Sequence, residues 1–212
     1  MTSGLKRFHQ SGCTHFLTFS CYRRQPFLSV PEPADAFVAV LERVRVSFGL
    51  RVFGYVVMPE HVHLLISEPE RSRLSVALQV LKQVVSRGRR PAGQRRFWQT
   101  RYYDFLVKDE ATRIEKLRYI HRNPVSRGLC ARPEDWPWSS FRHYATGESG
   151  PVEIESEWTA RLREKAGRRL VVRESHPIPK STAEDGATHG EYDDEVKGRA
   201  GPHSHPIPNG TG

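Results

Sequence analysis

The chain has 212 residues, enough for one domain with a packed core and some additional chain. Its 33 Lys and Arg residues outnumber its 24 Asp and Glu residues, and the formal net charge of +9 makes nucleic acid the first partner to consider. No apolar run approaches the roughly 18 to 20 residues that span a bilayer, so we expect no membrane partner and a cytoplasmic, nucleoid-associated protein. Three cysteines without a CxxC spacing exclude a disulfide framework and a structural zinc site.

The composition changes after residue 172. Residues 173–212 are rich in Pro, Gly, Ser and charged residues and contain few apolar ones, which predicts a disordered tail. Four basic and seven acidic residues lie in this tail, so the domain predicted over 1–172 keeps 29 basic and 17 acidic residues and a net charge of +12. The predicted domain is therefore more basic than the whole chain, which strengthens the case for a polyanionic partner.

Hydrophobic periodicity divides the predicted domain into strands and helices. Their order is β-α-β-β-α-β-α, which favours an α+β domain whose antiparallel sheet carries helices on one face and leaves the other open. The predicted elements are a strand over 15–21, a helix opened by Pro31 and Pro33, a hairpin over 51–57 and 61–67, a helix capped by Ser72, a strand over 102–107 and a helix over 110–121. Pro124 is expected to stop the last helix because proline cannot donate a backbone hydrogen bond.

The segment HVHLLI at 61–66 places two histidines on one side of a predicted strand. Because side chains alternate along a strand, His61 and His63 share one face, and Val62, Leu64 and Ile66 share the other. If the apolar face is the helix-covered core, the two imidazoles project together from the open face and suit a shared divalent metal ion. The alternative is a pair of surface histidines without a ligand.

Tyr119 is predicted to lie off the buried side of the last helix. The apolar stripe of this helix follows Ile114, Leu117 and His121, and Tyr119 is out of line with it. The spacing therefore presents the phenol to a partner, although a tyrosine on an amphipathic helix also serves as packing in many proteins.

Charged and polar neighbours suit Tyr119 to phosphate chemistry. Arg118 and Arg122 flank the phenol where a phosphate would be drawn, and Asn123, four residues on, is placed to offer an oxygen to a metal beside it. Glu115, one turn earlier, is a candidate base, but pairing with Arg118 or Arg122 is the favoured role for this glutamate.

Three segments together resemble the REP-associated tyrosine transposases, single-tyrosine members of the HUH endonuclease superfamily. They are VMPEHVHLLI at 57–66, YIHRNPVSRGL at 119–129 and WPWSS at 136–140, and the likeness extends over roughly residues 8–145. The resemblance implies a ferredoxin-like core with the histidine pair on a central strand, and a transposase domain over 1–172 with a C-terminal helical extension. It also implies a Mg²⁺ or Mn²⁺ ion, and a tyrosine that attacks single-stranded DNA to form a 5′-phosphotyrosine link and release a 3′-hydroxyl.

Carried over by position, the resemblance assigns a role to each candidate site residue. His61 and His63 match the metal-binding pair, Tyr119 matches the nucleophile, and Asn123 stands where relatives place a third polar ligand. The other role open to Asn123 is capping or solvation of the helix end before Pro124.

Rival residues exist for two of these roles. His121 competes as a metal ligand, but its place on the apolar stripe favours a buried structural histidine. Tyr102 and Tyr103 compete as nucleophiles, although one of two neighbouring strand residues must face inward and neither has a polar neighbour four residues on.

Arginines and aromatic residues cluster around the loop that follows the second helix, a composition that suits single-stranded nucleic acid. The residues predicted to bind the DNA backbone are Arg87, Arg89, Arg90, Arg95, Arg96, Arg101, Arg118 and Arg122. Phe97 and Trp98 either stack on unpaired bases, together with Tyr102 and Tyr103, or anchor the loop in the core. Trp136 and Trp138 are expected to pack within the fold.

The sequence thus predicts a metal-dependent transposase that cleaves single-stranded DNA next to a hairpin and rejoins strands. A hairpin offers a duplex stem to the basic surface and unpaired flanking bases to the aromatic residues. The alternative is a non-catalytic protein that binds single-stranded nucleic acid, which would not need Tyr119, His61 and His63 together. A metal-dependent hydrolase would need further ligands. Monomer and homodimer both remain open.

Overall fold

The computed structural model describes residues 13–89 and 96–165. The tail predicted over 173–212 lies outside these residues, as do Arg90 and Arg95. The elements are β1 (Thr14–Ser20), α1 (Pro31–Phe48), β2 (Val52–Val57), β3 (His61–Ser67), α2 (Leu74–Ser86), β4 (Tyr103–Val107), α3 (Glu110–Ser126), α4 (Phe141–Thr146) and α5 (Glu157–Lys165). None of the described helices is long and apolar enough to cross a membrane.

The four strands form one antiparallel sheet in the order β2-β3-β1-β4. The two inner strands are β1 and β3, and the helices α1 and α2 connect strands that are not sheet neighbours, which is the ferredoxin-like arrangement. In the register of the inner pair, Thr18 lies opposite His63 and Ser20 lies opposite His61. The predicted α+β class and the central position of the histidine strand are confirmed.

Helices α1 and α2 cover one face of the sheet. The predicted apolar stripe of α2 is buried from Leu74 to Val85, and it packs with the α1 stripe against alternate residues of β1 and β3 such as Leu17 and Leu64. The predicted cap of α2 is wrong, because the helix begins at Leu74 and Arg73 occupies the N-cap position without a side-chain hydrogen bond.

The sequence predicted that the opposite face of the sheet is open. This prediction is wrong, because α3 covers part of that face. Phe16 of β1, Val56 of β2 and Leu65 of β3 project to this side and pack with Ile120 of α3, and Leu117 lies at their edge. Apolar side chains therefore project from both faces of the inner strands, and each face needs a covering layer.

Helix α3 differs from its prediction in its end and in its buried face. It continues through Pro124 to Ser126, and it ends where Gly128 adopts φ +67° and the Leu129 N–H donates to the Pro124 carbonyl at 2.9 Å. The loss of one backbone donor is tolerated because Pro124 itself is buried against the fold. The buried face runs through Ile120, whereas Ile114 is exposed.

Four aromatic residues in the loops, Phe97, Trp98, Trp136 and Trp138, pack within the fold. Phe97 and Trp98 are 2% and 7% exposed, and the Trp98 indole N–H donates to the Lys82 carbonyl at 2.9 Å, so the stacking role considered for these two residues is wrong. The packing predicted for Trp136 and Trp138 is confirmed: their indole N–H groups donate to the Val57 carbonyl at 2.9 Å and to Asp35 at 2.8 Å. No disulfide joins the cysteines, as expected.

Candidate metal and nucleophile site

A cavity of about 490 Å³ lies on the α3 side of the sheet. Its walls include all four residues that the sequence proposed for chemistry: His61, His63, Tyr119 and Asn123. Phe16 and Thr18 of β1 also contribute, so both inner strands and α3 form part of the cavity wall. The structure thus brings the predicted metal ligands and the predicted nucleophile to one place, and their roles stay predictions.

The histidine pair is buried at the cavity wall. His61 and His63 are 5% and 4% exposed, and their Nε2 atoms lie 3.0 Å apart. The Nδ1 atom of His61 lies 3.1 Å from a Glu60 carboxylate oxygen, and that of His63 lies 2.7 Å from the Thr18 hydroxyl. Because oxygen partners occupy the Nδ1 atoms, the two Nε2 atoms are the ring nitrogens that converge at the cavity, where they could bind a shared cation.

Burial keeps both imidazoles neutral. It lowers the pKa of His61, an effect that Glu60 opposes, and it lowers the pKa of His63 to about 3, with smaller contributions from His61 and Arg24. A neutral imidazole is the form that binds a metal ion, so the pair needs no proton loss at neutral pH.

Asn123 completes the group from α3. Its Nδ2 lies 3.4 Å from His63 Nε2, and its Oδ1 is buried without a hydrogen-bond partner among the described residues. Buried polar atoms normally have a partner, and an amide oxygen together with two imidazole nitrogens can bind a divalent ion. The residues present therefore fit a divalent ion.

The position of the end of α3 excludes the alternative role of Asn123, which was capping or solvation of a helix end before Pro124. The Asn123 carbonyl accepts the Arg127 N–H at 3.0 Å as part of the helix ladder, and the side chain is buried toward His63 rather than capping a helix end. This position follows from the continuation of α3 beyond Pro124, which keeps Asn123 one helical turn after Tyr119.

His121 is a structural residue, as its place in the sequence favoured. Its Nε2 lies 2.9 Å from the Ser140 hydroxyl, and its ring packs against Phe141 and Tyr144. Burial lowers the pKa of His121 to about 4. The ring does not line the cavity, so it does not compete for the ion there.

Tyr119 is presented to the cavity, as predicted. Its side chain is 50% exposed, and its ring centroid lies 5.1 Å from that of His63 and 5.9 Å from that of Phe16, in edge contacts with both. Of the rival tyrosines, Tyr102 packs against the α1 and α2 core, whereas Tyr103 is exposed and lines the same cavity. Tyr103 is thus the rival nucleophile to test.

The predicted DNA-binding arginines that the structure describes do not line this cavity. Those that the structure describes are Arg87, Arg89, Arg96, Arg101, Arg118 and Arg122, and all except the half-buried Arg89 are exposed. Arg89 lies 3.4 Å from Glu32, and Arg96 borders a second cavity of about 500 Å³ beside α2. Their role in DNA binding stays a prediction.

The cavity is also lined by three cationic side chains that the sequence did not single out: Arg24, Lys116 and Arg127. Glu115 pairs with Lys116 at 2.9 Å, and not with Arg118 or Arg122 as predicted. Arg24 lies in the short turn Tyr22–Arg24 that follows β1, and no motif in the sequence marked it as part of the site.

No three His, Cys, Asp or Glu side chains of the described residues are arranged to hold a metal ion. An ion bound here would therefore have two imidazoles and one amide oxygen from the protein, and water or DNA oxygens would complete its shell. A ligand set this sparse gives no support to the metal-dependent hydrolase considered above.

The ferredoxin-like sheet with two histidines on a central strand is the arrangement that the resemblance to the tyrosine transposases implies, and Tyr119 of α3 lines the same cavity as this histidine pair. The family described as "Transposase IS200 like" matches residues 9–123, more than half of the chain, and the chain belongs to this family.

Two curated proteins that are similar to this chain are both named as REP-associated tyrosine transposases. The chain is 23% identical over 171 residues to a REP-associated tyrosine transposase of Escherichia coli, covering 80% of this chain and 99% of the relative. It is 29% identical over 109 residues to a Haemophilus influenzae protein provisionally named a REP-associated tyrosine transposase, covering 46% of this chain and 62% of that relative. The chain thus spans less than two thirds of the second relative's length.

The fold also matches a solved structure of a REP-associated tyrosine transposase bound to a REP hairpin. The TM-score is 0.58 at 24% sequence identity, and the match covers 73% of this chain and 93% of the other. At this identity the likeness establishes the shared fold.

Proposed function

We propose that this chain is a metal-dependent transposase that cleaves single-stranded DNA next to a hairpin and rejoins strands, with Tyr119 as the nucleophile. One observation carries the proposal. The Tyr119 ring lies 5.1 Å from that of His63, and the Asn123 amide, whose Oδ1 is buried without a partner among the described residues, lies beside the same histidine. A nucleophile and a three-residue ligand set thus share one cavity.

Phosphodiester cleavage by this site would proceed by in-line attack. The Tyr119 oxygen forms a bond to phosphorus, and the bond from phosphorus to the 3′-oxygen of the preceding nucleotide breaks. The phenol proton leaves to the water that reaches the half-exposed ring, and the 3′-oxygen takes a proton to become a hydroxyl. The phosphate stays on the 5′ carbon as a tyrosyl ester, and a DNA 3′-hydroxyl reverses the step, so strand transfer needs no ATP.

His61, His63 and Asn123 would hold Mg²⁺ or Mn²⁺ against the scissile phosphate. The bound ion supplies charge neutralisation at the non-bridging oxygens, where negative charge develops. Glu60 and Thr18 keep the Nδ1 atoms occupied, so both rings are oriented with Nε2 toward the cavity. Among the described residues that line the cavity there is no carboxylate, so none is placed there to act as the base for the Tyr119 phenol.

A hairpin with unpaired flanks is the substrate that we propose. The predicted domain has a net charge of +12, which favours any DNA, so discrimination must come from unpaired bases and DNA shape. The solved relative bound to a REP hairpin supports the same substrate class here.

The test is incubation of the full chain with Mn²⁺ and labelled single-stranded hairpin DNA, followed by denaturing electrophoresis for a covalent adduct. We expect wild type to form an adduct and Tyr119→Phe to bind the hairpin without forming one, because only the nucleophilic oxygen is removed. Tyr103→Phe is the matched control, since it removes a second exposed phenol from the same cavity.

Three other outcomes would each contradict one part of the proposal. An adduct that persists in Tyr119→Phe and disappears in Tyr103→Phe moves the nucleophile to Tyr103. Tight hairpin binding with no adduct in any form of the protein supports the non-catalytic binding protein. Equal cleavage of hairpin, unstructured strand and perfect duplex contradicts the hairpin preference.

A further inference from the structure

Three cations line the cavity, and two of them are engaged by carboxylates. Arg127 donates to Glu60 at 2.8 Å. Lys116 binds Glu115 at 2.9 Å and also lies over the rings of Phe16 and Phe105. The third cation, Arg24, has no carboxylate within ion-pair distance in residues 13–89 and 96–165. The cavity therefore contains one guanidinium whose charge is available to a ligand.

The backbone that carries Arg24 is held in an unfavourable conformation. Arg23 and Arg24 have φ of 53° and 54°, a left-handed region in which residues other than glycine are uncommon. Two successive residues of this kind are strained, and such strain persists only where the surroundings enforce it.

Hydrogen bonds on both sides of the turn enforce this conformation. The Cys21 N–H donates to the Glu60 carbonyl at 2.8 Å, the Tyr22 N–H donates to the Phe97 carbonyl at 2.8 Å, and the Arg24 N–H donates back to the Cys21 carbonyl at 3.0 Å. Glu60 directly precedes His61, so the strained turn is tied to the start of the histidine strand. The position of Arg24 is thereby fixed relative to the histidine pair.

We propose that Arg24 is a further catalytic residue, whose guanidinium binds the non-bridging oxygens of the scissile phosphate while Tyr119 attacks. The inference rests on the proposed function of the site. A guanidinium presents parallel N–H donors that match two phosphate oxygens, and donors aimed at developing negative charge stabilise the transition state. Arg24 changes no bond itself: the Tyr119 oxygen replaces the 3′-oxygen on phosphorus, and protons move as described above.

Glycine variants separate the side chain from the backbone conformation. Arg24→Gly removes the guanidinium and relieves the left-handed strain, so it is expected to fold at least as well as wild type. Arg23→Gly is the matched control, because Arg23 has the same φ, is exposed, lies over the Tyr22 ring at 5.4 Å and does not line the cavity. Arg24→Lys keeps the charge without the paired donors.

The measurement is the single-turnover cleavage rate at saturating Mn²⁺ and saturating hairpin DNA, together with the Kd for the hairpin. We expect Arg24→Gly to be slower by about 100-fold or more, Arg24→Lys to be intermediate, and Arg23→Gly to remain close to wild type. The loss should be larger in the rate than in Kd, because the contact strengthens as charge develops.

A methylphosphonate at the scissile position gives a readout that a structural role of Arg24 would not change. This substitution removes the negative charge that Arg24 would bind, so the deficit of Arg24→Gly relative to wild type should shrink on this substrate. An unchanged deficit, or equal rates for Arg24→Gly and Arg23→Gly, overturns the assignment of Arg24 while leaving Tyr119 chemistry intact. An adduct formed by Tyr119→Phe, in contrast, overturns the proposed function itself.

Discussion

The two faces of the sheet are built by alternate residues of the same strands, yet they bury different chemistry. On the face covered by α1 and α2, β3 contributes Val62, Leu64 and Ile66 to a core of apolar side chains. On the face under α3, the same strand contributes His61 and His63 beside a smaller apolar cluster. Neighbouring residues of one strand therefore serve packing on one side and a candidate ion site on the other.

The difference shows how the fold accommodates buried polar groups. A buried imidazole is costly unless its nitrogens have partners, and here Glu60 and Thr18 supply one partner to each ring. The apolar cluster on the other face has many more members, and it contains no such polar groups. Exchange of single residues on either face of β3 tests this division.

The largest effect is expected from His63→Ala. We expect the rate of adduct formation to fall by at least about 100-fold, because the ion loses a ligand and charge on the phosphate is no longer neutralised. The free energy of unfolding should change less than in a core variant, since the space left opens to the cavity and fills with water. Adduct assays with Mn²⁺ and urea unfolding measure both. Full activity of His63→Ala, or of wild type in excess EDTA, would contradict the metal role.

Leu64→Ala is the matched change on the opposite face, one residue along the same strand. Leu64 is fully buried, and its truncation should lower the free energy of unfolding by about 2–5 kcal/mol. Adduct formation per folded molecule, measured well below the melting temperature, should stay close to wild type. A rate loss as large as that of His63→Ala would show that the two faces do not act separately.

The smallest effect is expected from Thr18→Val, which keeps the shape of the side chain and removes the hydroxyl 2.7 Å from His63 Nδ1. We expect the apparent Mn²⁺ affinity to fall by about 10- to 100-fold, as for other residues that orient metal ligands, and saturating Mn²⁺ should restore most of the rate. Thr14→Val, on the same face of β1 but outside the cavity, is the control. An unchanged Mn²⁺ dependence would remove Thr18 from the site.

Sequence periodicity was reliable where one face of an element is apolar along its whole length. The apolar stripe of α2 repeats at helical spacing, and its members Leu74, Ala77, Leu78, Leu81 and Val85 are all buried in one core. Helix α3 was harder because it has few apolar residues, and charged residues are interspersed among them, so the prediction placed Ile114 in the core instead of Ile120. Its end was also misjudged, because tertiary burial of Pro124 outweighed the loss of one hydrogen bond.

The sequence by itself determined relations within single elements. Strand alternation placed His61 and His63 on one side, and helical spacing aligned Asn123 with Tyr119, because backbone geometry fixes both periods. Only the tertiary structure decided that α3 covers the histidine face, which brings Asn123 to His63 across 60 residues of chain, and that a left-handed turn places Arg24 at the same cavity. Such contacts depend on how separate elements pack, and local periodicity carries no information about that packing.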